Sequence, residues 1–157
     1  MVALNSAVVL IVEDEPLIRF NILDVLEEVG HVALEAANAD EALVVLKGRQ
    51  DVDILFTDVN MAGSMDGLQL AKRVRAMRPN IGIIITSGMV RLDPMTLPAN
   101  TAFLPKPYMH DALISTINSL MTEQGRAAAK RGLFLRLRAR RRETCSSSGG
   151  GGEPALS

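Results

Sequence analysis

The sequence predicts an α/β protein in which a five-stranded parallel sheet is covered by helices on both faces. Short apolar runs rich in Val and Ile alternate five times with amphipathic stretches within about 120 residues, a pattern that implies right-handed crossovers. Hydrophobic residues make up 48% of the chain and charged residues 22%, with no tryptophan, so the expected core is aliphatic. Four of the runs end in a polar residue capable of phosphoryl chemistry, and the carboxyl edge of such a sheet is where α/β folds hold ligands.

Residues 7–12 are continuously apolar and largely β-branched, which predicts a buried first strand. Pro16 suits the first turn of a helix. Leu17, Ile18, Ile22, Leu23, Val25, Leu26 and Val29 follow at helical spacing, and Gly30 stops them. Residues 31–36 predict a second strand. Asn38 or Asp40 then caps a helix carrying Ala42, Leu43, Val45 and Leu46 that ends near Gly48.

Residues 53–57 predict the third strand. The loop 58–67 leads to a helix with Leu68, Leu70, Ala71, Val74 and Met77 on its apolar side, closed by Pro79. Residues 81–86 predict the fourth strand. In the stretch 87–100, Pro94 and Pro98 interrupt any helix, so a short turn or an irregular loop is expected. Residues 101–104 predict a fifth strand. Residues 111–121 predict a last helix with Leu113, Ile114, Ile117, Leu120 and Met121 inward, and His31 and His110 read as structural.

The domain is expected to span 1–122, followed by a basic then Ser/Gly-rich flexible tail over 123–157. Up to Met121 there are 9 basic and 15 acidic residues; beyond it there are 8 and 3. Arg136, Arg138, Arg140, Arg141 and Arg142 crowd beside Leu133, Phe134, Leu135 and Leu137. Cys145 is the single cysteine, so no internal disulfide forms and a reducing compartment fits. The amino terminus lacks a basic n-region, and no run reaches the roughly 18 apolar residues of a membrane span, so a cytoplasmic protein is expected.

The polar residues at the strand ends are Glu13 and Asp14, Asp58, Ser87, and Lys106. Their order and neighbours, Asp58-Val59-Asn60-Met61, Met65-Asp66-Gly67, Thr86-Ser87-Gly88 and Lys106-Pro107-Tyr108, resemble the receiver domain of two-component response regulators over residues 7–121. Each motif is weak singly: an acidic triplet before a helix is often a solvated charge run, and a lone Asp is often a turn residue.

The resemblance implies a doubly wound sheet in the order 2-1-3-4-5, and a single-domain response regulator that takes a phosphoryl group from a histidine kinase or phosphotransfer protein and controls a protein partner. Asp58 becomes the phosphoacceptor, because a carboxylate can carry a phosphoryl group as an acyl phosphate. Lys106 and Ser87 neutralise phosphoryl oxygens. Mg²⁺ is the implied cofactor, with Asp14, Asp58 and the Asn60 main-chain carbonyl as ligands and Glu13 acting through water. Ser87 and Phe103 are the implied switch. A homodimer is compatible with this reading.

Three departures stand out. Met61-Ala62 replaces the usual Met-Pro while Ser64 lengthens the following loop by one residue, Pro94 and Pro98 compromise the fourth helix, and no second folded output domain is expected to follow. Two rival functions fit parts of the sequence. A phosphatase using an aspartyl-phosphate would place a second acid two residues after the nucleophile, where this chain has Asn60. A nucleic-acid or membrane-surface arm could reside in the basic 125–142 segment, but that segment lacks aromatic interleaving and a DNA-binding fold.

Overall fold

The structure, a computed structural model, describes residues 6–123. The expected tail and its rival binding role lie outside the described residues. The elements are β1 (Val8–Val12), α1 (Pro16–Glu28), β2 (Val32–Ala36), α2 (Ala39–Gly48), β3 (Ile54–Asp58), α3 (Gly67–Met77), β4 (Gly82–Ser87), a single 3-10 turn at Pro94–Thr96, and β5 (Thr101–Pro105). A last helix, α4, covers 110–123. No helix among the described residues is long and apolar enough to cross a membrane.

All four strand pairings are parallel, and the order is β2-β1-β3-β4-β5. Because strand side chains alternate between faces, the continuous apolar runs feed two cores at once. Leu10, Val12, Leu55, Ile83 and Ile85 pack with Leu43 and Leu46 of α2 and Leu70 and Val74 of α3. Val9, Ile11, Phe56 and Ile84 pack with Ile22 and Leu26 of α1 and with Leu113 and Ile117 of α4. The central strand β3 is buried along its whole length, so any polar group at its end is carried on a rigid base.

Local signals account for most boundaries. Pro16 occupies the first turn of α1, and Gly30 follows its end at φ 95°, a conformation glycine adopts without Cβ strain. Asn38 caps α2 through its side chain, which accepts from the Glu41 N–H at 2.9 Å. Asp66 and Gln69 form a reciprocal capping box on α3. Between β4 and β5 only the 3-10 turn forms, as the two prolines require.

Two expected inward residues point outward. Leu17 is 77% exposed and Met77 is 43% exposed. Leu17 precedes the buried Leu26 by nine residues, which at 3.6 residues per turn is about half a revolution away. Strand limits also shift by a residue or so: β2 begins at Val32, β3 at Ile54 and β4 at Gly82, and β3 takes in Asp58, which pairs with Thr86.

His31 is structural. It is buried, and its Nδ1 accepts the Ala7 N–H at 3.1 Å, so the ring is held neutral and burial lowers its pKa from the ordinary 6.5. The unfolded chain therefore takes up this proton first, and the contribution is present above pH 6.5 and lost as pH falls through the folded-state value. His31→Asn, whose amide oxygen replaces the Nδ1 acceptor, should make the urea midpoint less sensitive to pH between about 5 and about 7.5. Equal slopes for the two proteins would contradict this.

Candidate functional site

The parallel topology delivers the ends of β1, β3, β4 and β5 to one rim of the sheet. Asp58 closes β3, and only 9% of its side chain is exposed. Lys106, just past β5, donates from Nζ to Asp58 Oδ2 at 2.8 Å, while the Asn60 N–H donates to Asp58 Oδ1 at 3.2 Å. Both oxygens of the carboxylate thus accept hydrogen bonds, which fix its orientation at the end of β3.

Glu13 is held on three sides. Its N–H donates to the Ala36 carbonyl at 3.2 Å, its carbonyl accepts from Arg19 Nη1 at 2.7 Å, and its Oε1 accepts from the Glu15 N–H at 3.1 Å. The remaining oxygen, Oε2, is buried without a hydrogen-bond partner; Lys106 Nζ stands 3.8 Å away. Burial pushes the Glu13 carboxyl up to about 7, with the neighbouring Asp14 and Asp58 carboxylates adding to the rise and the Glu15 N–H and Lys106 opposing it.

Asp14 is exposed, and its Oδ2 accepts the Ala62 N–H at 3.3 Å. A proline at that position would have no such donor. The lengthened loop is tied elsewhere too: Ser64 Oγ donates to the Asp40 carboxylate at 2.9 Å, and Gly63 takes φ 122°. The loop is therefore tied to the acidic turn through Ala62 and to α2 through Ser64, bonds that the residue types alone did not announce.

Ser87 closes β4 one strand over from Asp58, and it is buried. Its Oγ accepts from the Met89 and Val90 N–H groups at 3.2 and 3.0 Å, so in this structure it serves the loop that follows β4. Phe103 is partly buried and, like Val90 and Leu92, packs against the core beneath α2 and α3. The structure thus assembles Glu13, Asp58 and Lys106 in direct contact range, sets Asp14 and Asn60 at the same rim, and holds Ser87 and Phe103 on the adjoining strands.

Two contributors escaped the sequence reading. Arg19 braces the acidic turn from α1, reaching Glu35 Oε2 with Nε at 3.2 Å as well as the Glu13 carbonyl. Tyr108, whose motif Lys106-Pro107-Tyr108 does not by itself assign it a role, packs edge-on against Phe56 with ring centroids 6.1 Å apart. Burial raises its phenol to about 12, helped by the charges of Glu13 and Asp58, so it stays neutral behind the site.

The donor set suits a hard divalent cation. Among the described residues no three His, Cys, Asp or Glu side chains already form a metal cluster. Mg²⁺ does not require one, since it keeps several waters and binds through one or two carboxylates together with phosphate. The buried Glu13 Oε2, which lacks a hydrogen-bond partner and has Lys106 Nζ 3.8 Å away, lies beside two further carboxylates and could accept from a water held by such a cation.

Comparison with known proteins agrees with this fold. The family model described as the response regulator receiver domain matches residues 9–118. The chain is 36% identical over 124 residues to the sensor kinase CckA of Brucella abortus, covering 76% of this chain and 13% of that protein. It is 30% identical over 128 residues to a chemotaxis protein CheY homolog of Campylobacter jejuni, covering 77% of this chain and 98% of that one. A crystal structure of the receiver domain from the hybrid histidine kinase CckA superposes with a TM-score of 0.63 at 30% identity, over 73% of this chain and 98% of that domain. The chain spans between 13% and 28% of the length of several of its curated relatives.

Proposed function

This chain belongs to the response regulator receiver family, and we propose that it is a Mg²⁺-dependent phosphoacceptor whose acceptor is Asp58 and whose receiver domain spans 1–122. Receiver domains are regulatory phosphoacceptors that bind Mg²⁺ at the phosphorylation site and interact with histidine kinases or phosphotransfer proteins. The observation that carries the assignment to Asp58 is its pairing with Lys106 at 2.8 Å on the rim of the central strand.

An Asp58 oxygen attacks the phosphorus of a phosphohistidine; the O–P bond forms as the P–N bond breaks, and the histidine leaves with the electron pair. Catalysis here is positioning and charge neutralisation, since the transferring group passes through a loose transition state with charge on its equatorial oxygens. Lys106 shifts its ammonium from the carboxylate to a phosphoryl oxygen, for which a compact cation is suited. Ser87 exchanges its loop N–H partners for the phosphoryl group, to which its hydroxyl donates. Asp14, Asp58 and the Asn60 carbonyl would hold Mg²⁺, with Glu13 acting through water. The bound ion supplies counter-charge to the phosphoryl oxygens.

Movement of Ser87 frees the Val90 backbone, and Val90 is packed in the same cluster as Phe103. Both switch residues thus bear on the cluster beneath α2 and α3, Ser87 through Val90 and Phe103 directly. Phosphorylation shifts the population toward the arrangement with Phe103 turned inward, which requires a differential stabilisation of about 2–5 kcal/mol. The surface so altered controls a protein partner.

Acetyl phosphate with Mg²⁺ should add one acid-labile phosphoryl group, and chelation of the metal should prevent it. Asp14→Asn should weaken Mg²⁺ binding by at least about tenfold, measured calorimetrically. Unchanged affinity would remove Asp14 from the site, and labelling undiminished by chelator would remove the metal from the reaction.

A further inference from the structure

We propose that Arg19 is a positioning residue for the acidic pocket: it fixes the peptide from which Glu13 and Asp14 project and thereby sets the Mg²⁺ affinity, an inference that rests on the phosphoacceptor reading above. Arg19 sits one turn into α1, and its side chain is only 13% exposed. Nη1 donates to the Glu13 carbonyl at 2.7 Å and Nε donates to Glu35 Oε2 at 3.2 Å, with the guanidinium 6.0 Å from the centre of the Phe20 ring.

The accepting carbonyl belongs to the peptide that joins Glu13 to Asp14. Holding it fixes the direction in which both carboxylates leave the main chain. Of the three bonds that restrain Glu13, those from the Glu13 and Glu15 N–H groups are supplied by backbone donors; Arg19 supplies the one that a side chain controls. The fork of the guanidinium matters because two acceptors lie in different directions, one on the acidic turn and one at the end of β2.

Arg19 also differs from Lys106 in what its charge does. Lys106 binds the carboxylates directly and so competes with any cation for their oxygens. Arg19 brings positive charge to the backbone side of a turn bearing Glu13, Asp14 and Glu15, and leaves Glu13 Oε2 without a hydrogen-bond partner. It relieves the crowding of like charges without consuming a ligand atom. Groups that orient ligands in this way commonly change metal affinity by about 10–100-fold when removed.

The test uses the full chain, titrating Mg²⁺ by calorimetry and following acetyl phosphate labelling across Mg²⁺ concentrations. Arg19→Gln should raise the Mg²⁺ dissociation constant about tenfold and raise the concentration for half-maximal labelling in parallel. The rate at saturating Mg²⁺ should stay within about twofold of wild type, because Arg19 touches neither the phosphoryl group nor Asp58. Arg19→Lys, which keeps the charge and one of the two bonds, should fall between.

Wild-type Mg²⁺ affinity in Arg19→Gln would overturn the proposal, even if the urea midpoint dropped, since a brace between α1 and β2 alone predicts that result. If Arg19→Gln does not fold, Arg19→Lys decides: about a threefold loss of affinity supports the proposal, and none overturns it. A wild-type chain that binds no Mg²⁺ brings down the phosphoacceptor reading together with this inference; wild-type binding with indifferent variants brings down the inference alone.

Discussion

Asp58→Asn should abolish labelling by acetyl phosphate or by a cognate kinase and leave the fold intact. The amide is nearly isosteric but lacks the anionic oxygen that the proposed transfer requires, and among the described residues no neighbouring carboxylate is placed to substitute. Asp14 lies on an exposed turn bonded to Ala62, and Glu13, buried with its carboxyl raised to about 7, is a poor nucleophile at neutral pH. An acid-labile modification that persists in the variant would defeat the assignment.

The same substitution should not destabilise the protein, and the charges around the pocket say why. The pocket gathers the carboxylates of Glu13, Asp14 and Asp58 around the ammonium of Lys106. Breaking a buried ion pair costs about 3–5 kcal/mol when the surviving charge is left without a partner. Lys106 is not so left: its side chain is 28% exposed, and Glu13 Oε2 stands 3.8 Å away, ready to accept it. The Asn60 N–H keeps its acceptor, since the amide oxygen can take the place of Oδ1. Removing one carboxylate from this crowded group should therefore raise the metal-free urea unfolding free energy by about 0.5–2 kcal/mol, the usual sign for a site strained for function. A loss of comparable size would mean that the Asp58–Lys106 pair is structural.

The sheet and its rim were legible because each rests on local pattern. A Val/Ile run that is apolar at every position has no solvent face, so it belongs in a sheet covered on both sides, and the alternating helices say how. Glu13, Asp14, Asp58, Ser87 and Lys106 follow such runs directly, and topology alone gathers them. Arg19 was invisible for the opposite reason. An arginine between Ile18 and Phe20 in an amphipathic helix reads as solvated, and only the docking of α1 beside β2 brings Glu35 and the Glu13 carbonyl within its reach. Arg75 is a similar case: it donates to the carbonyls of Pro79, Ile81 and Asn100, tying α3 to the starts of β4 and β5. Bonds from side chains to distant carbonyls leave no trace in periodicity, because any residue type can present the acceptor.

Gly67→Ala should be among the most destabilising single substitutions in the domain, costing about 3 kcal/mol or more. A Cβ built on Gly67 lies 1.9 Å from the Asp58 carbonyl oxygen, 2.7 Å from its carbonyl carbon and 2.9 Å from Val59 Cα. All three are backbone atoms at the end of the central strand, so no rotamer change relieves the clash. The Gly67 N–H also donates to the Val59 carbonyl at 2.9 Å, which pins the first turn of α3 against β3. To admit a methyl group, α3 must back away, losing this bond and loosening Leu70 and Val74 from the core. The total stability of a domain is only about 5–15 kcal/mol, so the loss is a large fraction of it. Gly48 is the control: a Cβ there meets nothing within 4 Å, and Gly48→Ala at the end of α2 should be neutral or stabilising by up to about 1 kcal/mol. Urea unfolding of the two variants separates them. Because the obstructing atoms belong to Asp58 and Val59, Gly67→Ala should also slow labelling in whatever fraction stays folded; stability and labelling both near wild type would show that α3 does not bear on the acceptor strand in this way.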